Sequence, residues 1–139
     1  MTLSPLDRQA IVDYRVEKSR ATLREAEYVM AGKFWSLTAN RLYYATFYAC
    51  EALLIKNGIE ASTHSGVSHM MNLHFVKTEI LTHEDKTLLS ALFRMRQTGD
   101  YDDLTDWTQE DIEPLYPKAE ELIDKLLSII GQSQAEALR

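Results

Sequence analysis

Apolar residues recur at helical spacing through most of this chain, and runs that alternate apolar and polar with period two are absent. Val12, Val16, Ser19, Leu23, Ala26 and Met30 follow one another at alternating steps of four and three, which places them on one stripe. Asp13, Lys18, Arg24 and Glu27 fall on the opposite face. Ser4-Pro5-Leu6-Asp7 supplies an N-cap, a first-turn proline and a capping acid, and Gly32 follows the stripe as a stop. One long amphipathic helix is predicted between them.

The stretch from Phe34 to Asn57 has almost no polar face. Leu42, Tyr43, Phe47, Cys50, Leu53 and Leu54 share it with Ala45, Ala49 and Ala52, small residues that let another helix come close. A helix apolar nearly all round is expected to be surrounded by its neighbours or by a second subunit. Ser65-Gly66 is read as opening a shorter helix with an apolar edge of Val67, Met70, Met71, His74 and Phe75. Thr82 and Asp85 mark the next N-terminus, followed by a stripe of Leu88, Leu92 and Met95 beside Leu89, Phe93 and Arg96, with Gly99 as the break. Thr108 and Asp111 start the last helix, whose stripe is Leu115, Ala119, Leu122, Leu126 and Ile129, with Gly131 as its end. The sum is an all-α, up-and-down four-helix bundle with one additional short helix. It is read as a single domain over residues 1–139, with a core at about 4–131 and residues 132–139 as a tail.

Composition narrows the function classes. At 139 residues the chain can bury a core without disulfides or metal. Its net charge of −6 argues against a surface that grips nucleic acid everywhere, but leaves room for a locally basic pocket. A single cysteine, Cys50, excludes an internal disulfide and fits a reducing, cytoplasmic setting. No apolar run is long enough to span a membrane, and residues 1–7 lack the regions of a signal peptide.

Chemistry-bearing motifs are few. His64, His69 and His74 are spaced by five, which turns them off a common helical face, so no metal site is expected. Cys50 lies mid-helix among apolar residues and reads as core. Tyr43, Tyr44, Phe47 and Tyr48 read as packing. Two arginines stand out. Arg41, next to Asn40, lies in the most apolar helix and needs a partner such as Glu51 or Asp100. Arg96 borders the apolar stripe one turn before Asp100, where a guanidinium would suit a phosphate.

With these residues assembled, the chain resembles the HEPN family, the higher eukaryotes and prokaryotes nucleotide-binding domain, in its small stand-alone branch. The resemblance rests on Asn40-Arg41-Leu42-Tyr43-Tyr44-Ala45-Thr46-Phe47, on His64-Ser65-Gly66-Val67, on Phe75-Val76-Lys77-Thr78, and on the segment from Arg94 to Asp103. It implies an HEPN-like bundle that forms a homodimer, takes a nucleotide or RNA, and pairs with a small nucleotidyltransferase in a toxin–antitoxin type module. It implies no cofactor. Active members resemble metal-independent ribonucleases that use an arginine, a following polar residue and a histidine four to six positions beyond the arginine. Here Arg96 and Gln97 match the first two, Tyr101 stands where the histidine would be, and no histidine follows His83. The resemblance therefore points to Arg41, Arg96, Gln97 and Tyr101 as binding residues, and to Tyr101 as a candidate acceptor of an adenylyl group. Binding is favoured over catalysis. The alternatives are an endoribonuclease with a shifted site, for which Arg96 and His64 are the catalytic candidates, and an interaction scaffold without a ligand.

Overall fold

The computed structural model describes the backbone of residues 3–101 and 106–137 and the side chains of residues 3–95 and 106–131. The described chain is all-helical. Its elements are α1 (Pro5–Ala31), α2 (Trp35–Lys56), α3 (His64–Met71) with a π-helical extension Asn72–Val76, α4 (His83–Tyr101), a one-turn α5 (Gln109–Ile112) and α6 (Leu115–Ala137). Four long antiparallel helices form the bundle and α2 is its centre, packed against α1, α4 and α6.

The α1–α2 seam is closed by small side chains. Ser19, Ala26, Ala39, Ala45, Ala49 and Ala52 are all fully buried. The backbones come close enough for the Ser19 hydroxyl to donate to the Ala45 carbonyl at 2.7 Å. The end of the seam where α1 starts and α2 finishes is tied twice. Arg8 Nη1 donates to the Ile55 carbonyl at 3.0 Å, and Lys56 Nζ donates to Gln9 Oε1 at 3.0 Å. Between the helices the left-handed residue is Lys33, at φ 65°, and Gly32 takes φ −82°. A Cβ at Gly32 would stand 2.8 Å from the exposed Phe34 ring, which would have to turn aside.

The caps at Ser4, at Thr82 with Asp85, and at Thr108 with Asp111 all form as the sequence predicts. The apolar stripes face the core, with Leu89, Leu92 and Met95 buried on α4 and Ala119, Leu122 and Leu126 on α6.

Four details differ. Thr63, rather than Ser65, caps α3, accepting from the Gly66 amide at 2.9 Å. His74 is exposed, because the π-helical turn advances Phe75 into the core instead. The helical backbone of α4 runs through Gly99 to Tyr101, and that of α6 runs through Gly131 to Ala137. A helical glycine costs about 1 kcal/mol relative to alanine, which weakens a helix without stopping it. Finally, the segment from Thr108 onward divides into α5 and α6, because Pro114 cannot donate to the preceding turn.

Candidate functional site

Arg41 emerges from the α1–α2 seam toward the connection between the two helices, with 28% of its side chain exposed. Its Nε and Nη2 donate to Asn40 Oδ1 at 3.0 and 2.7 Å, and Nη1 reaches Glu25 Oε1 at 3.3 Å. The guanidinium lies over the Tyr44 ring, 5.4 Å from its centroid. Three different side chains thus fix one cation. The partner is Glu25 across the seam and not Glu51, which instead meets Arg15 at 3.5 Å further along α2. Beside Arg41 opens a cleft of about 620 Å³ lined by Ala21, Arg24, Tyr28, Val29 and Leu37. Tyr28 and Leu37 present exposed apolar surface there.

His64 also meets Tyr44. It is the first residue of α3, held by the Thr63 cap, and its ring packs 4.5 Å from that of Phe47. The Tyr44 ring meets it nearly edge-on at 6.3 Å. The hydroxyl of Tyr43 is hydrogen-bonded to His64 Nδ1. Tyr43 itself is fully buried, stacked on Phe47 at 5.8 Å and meeting the edge of Phe93 on α4 at 5.3 Å. The fold therefore brings Arg41 and His64 to one aromatic ring, that of Tyr44.

Phe93 also locates the end of α4. It sits against Tyr43 and Phe47, and α4 runs antiparallel to α2, so the helix advances from there toward the start of α2. The Trp107 amide, which donates to Ser36 Oγ at 3.1 Å, marks where the chain arrives. Arg96 and Gln97 belong to the turn after Phe93, and Tyr101 is the last residue of α4. The side chains of Arg96, Gln97 and Tyr101 lie outside the described residues.

Further along the seam, a second cluster joins Tyr14, Arg15, Lys18, Tyr48 and Glu51. Lys18 Nζ is 4.8 Å from the Tyr48 ring centroid, although the sequence places Lys18 on the face away from the core stripe. A lysine stem lies along apolar surface while its head stays wet, which periodicity does not reveal. Burial pushes the Glu51 carboxyl above its ordinary range, opposed by the nearby charges of Arg15 and Lys18. Burial, with a further push from Glu51, also raises the Cys50 thiol far beyond reactivity, as expected of a core residue. Among the described residues no group of three or more His, Cys, Asp or Glu side chains could hold a metal ion.

The sequence reading passed over two members of the site. Tyr43 was assigned to packing, and its hydroxyl was the available signal, since a buried tyrosine needs a hydrogen-bond partner. Glu25 gave no signal, because its role depends on the register between α1 and α2.

The model of the HEPN domain matches residues 12–130, which is most of the chain. The chain belongs to the HEPN family. A UPF0332 protein of Thermotoga maritima is 32% identical over 124 residues, covering 89% of this chain and 94% of that one. A Methanocaldococcus jannaschii protein named as a candidate toxin is 32% identical over 110 residues, covering 79% and 75%. A second candidate toxin of that organism is 27% identical, covering 80% and 82%. A solved archaeal HEPN homologue matches the fold with a TM-score of 0.55 at 20% identity, over 90% of this chain and 96% of that one. In this HEPN chain, no described helix is long and apolar enough to cross a membrane.

Proposed function

We propose that this HEPN protein is the ligand-binding component of a toxin–antitoxin type module. It takes a nucleotide or RNA at the cleft beside Arg41, acts as a homodimer, and has a small nucleotidyltransferase as partner. The observation that carries this reading is the bracing of Arg41: Asn40, Glu25 and the Tyr44 ring hold its guanidinium at the mouth of an open cleft. A preorganised guanidinium suits phosphate, since less side-chain freedom is lost when the ligand binds. The exposed Tyr28 ring in the same cleft offers a face for a base. The names of the M. jannaschii relatives support the module.

Tyr101 in place of the family's histidine favours binding or modification over cleavage, because a tyrosine near its ordinary pKa of about 10 shuttles protons poorly at neutral pH. Arg96 and Gln97 extend the site along the end of α4. Calorimetric titration with AMP and with a short single-stranded RNA tests the reading. Arg41→Ala should weaken either ligand by about tenfold to a hundredfold, the worth of one charge-assisted hydrogen bond. Wild-type protein that binds neither would end it. Light scattering tests the dimer, and mass spectrometry after co-expression with the nucleotidyltransferase tests Tyr101 for an AMP adduct.

A second reading, a ribonuclease with a shifted site, is favoured by the approach of His64 and Arg41 to the same Tyr44 ring. Single-stranded RNA left intact by the purified protein, with Arg96→Ala and His64→Ala behaving alike, would remove it.

A further inference from the structure

We propose that the cleft beside Arg41 takes a nucleoside diphosphate, with Arg24 as the second cation that grips it. The inference rests on the binding reading above and names the ligand class of that site.

Two helices wall the cleft, with Arg24, Glu25 and Tyr28 on the α1 side and Leu37 and Arg41 on the α2 side. Arg24 follows the α1 wall beside Glu25, the carboxylate that Arg41 reaches, and one turn before the exposed Tyr28 ring. The cleft therefore holds two guanidiniums and one open aromatic face.

Both guanidiniums carry a counter-charge that a ligand can displace. Arg41 Nη1 meets Glu25 at 3.3 Å, and Arg24 Nη2 meets Glu17 at 3.7 Å, too long for a hydrogen bond. The side chains of Arg24 and Glu17 are 64% and 72% exposed, so water screens their attraction. A phosphate group offers either cation a second oxygen at hydrogen-bond length, which suits the planar fork of a guanidinium.

Two cations in one cleft ask for two anionic groups, and the size of the cleft decides how these are joined. About 620 Å³ is the space of one small ligand, and the Tyr28 ring gives a face for one base. One base and two adjoining phosphates make a nucleoside diphosphate. A strand separates its phosphates by a sugar and brings a second base, for which no further aromatic ring lines the cleft.

Calorimetric titration with AMP, with ADP and with a 5′-phosphorylated adenylyl dinucleotide tests the assignment. ADP should bind about tenfold more tightly than AMP, the worth of one more charge-assisted hydrogen bond. Arg24→Ala should remove that advantage and bring ADP to the affinity of AMP. Arg24→Lys should keep part of it, since lysine retains the charge without the fork. Arg24 is mostly in water, so both variants should fold. Lys118→Gln, an equal loss of charge where α6 faces α4, should leave the ratio of ADP to AMP as it is. ADP no tighter than AMP, an advantage that survives Arg24→Ala, or the same loss in Lys118→Gln would overturn the proposal. The dinucleotide binding more tightly than ADP would overturn it too, in favour of a strand. AMP bound through Arg41 with no gain for ADP sinks this inference alone, whereas no binding of either nucleotide ends it together with the ligand reading.

Discussion

Glu25 competes with any anion for Arg41, and that competition gives a prediction with a sign. In the free protein the Arg41 Nη1 is taken by Glu25 at 3.3 Å, while 59% of the Glu25 side chain is exposed. An ion pair this wet contributes about 0–1 kcal/mol. Glu25→Gln removes the competing charge but leaves Asn40 and Tyr44 to hold the guanidinium, so Arg41 keeps its place. If Arg41 binds phosphate, the substitution should tighten AMP by up to about fivefold, the equivalent of 1 kcal/mol at most. Stability should fall by no more than the same amount, because the pair is largely solvated. Both quantities come from one preparation: calorimetric titration with AMP at low salt, repeated at high salt, and urea unfolding. The gain should shrink at high salt as the charges are screened. A purely structural Arg41 gives a different outcome, with AMP affinity unmoved and only stability changed. Weaker AMP binding in Glu25→Gln would refute the reasoning, because it would make Glu25 part of the ligand site instead of its competitor.

Three further outcomes follow from the ion pairs. Arg15→Ala leaves Glu51, only 16% exposed, without its partner, and should cost about 1–3 kcal/mol in urea unfolding while AMP affinity stays unchanged. Because Glu51 titrates above its ordinary value of 4.5 in the folded state, that state holds the proton more tightly. Wild-type stability measured against Glu51→Gln should therefore fall as pH rises from about 4.5 through the folded value, and a rise over that window would contradict the assignment. Asp85 is the opposite case. Partial burial raises it, but the hydrogen bonds from Lys125 and from the Thr82 amide and hydroxyl outweigh this and hold it below its ordinary 3.8. Its stability is thus present above pH 3.8 and lost as pH falls through the folded value. Asp85→Ala should cost about 1 kcal/mol for the cap and up to about 1 kcal/mol for the Lys125 pair at neutral pH, and the cost should disappear in acid.

The helices were legible in the sequence because amphipathic stripes and caps are local. Ser4, Thr82 and Thr108 act as predicted, and each of the predicted stripes contributes to the core. The stops at Gly99 and Gly131 were misread because a glycine weakens a helix without ending it, and neighbours decide the rest. The site was legible only in part. Arg41 could be singled out as a cation in an apolar helix, but its partner depends on how α1 slides against α2. That register is set by Ser19 and the alanines and is invisible to a reading of either helix alone. His64 was found through resemblance and not through pattern. Tyr43 was hidden because a tyrosine that only packs and a tyrosine that also forms a hydrogen bond have the same periodicity.

The α1–α2 seam carries two arginine–carboxylate pairs, and burial separates their uses. In the Arg15–Glu51 pair the carboxylate is largely enclosed, its charge is disfavoured, and Arg15 Nε and Glu51 Oε1 find no hydrogen-bond partner among the described residues. Opening that pair to a ligand would strand a half-buried charge, so it is an anchor of the seam. In the Arg41–Glu25 pair the carboxylate is mostly in water, and the guanidinium keeps two bonds to Asn40 when the carboxylate swings away. If Arg41 binds phosphate as proposed, exchanging Glu25 for it should cost little and leave the cation in place. On the proposed reading, near-identical chemistry on the same two helices serves structure at Arg15–Glu51 and recognition at Arg41–Glu25. The difference lies in Asn40, which bonds Arg41 independently of its charge partner, and in the cleft that opens beside the Arg41–Glu25 pair.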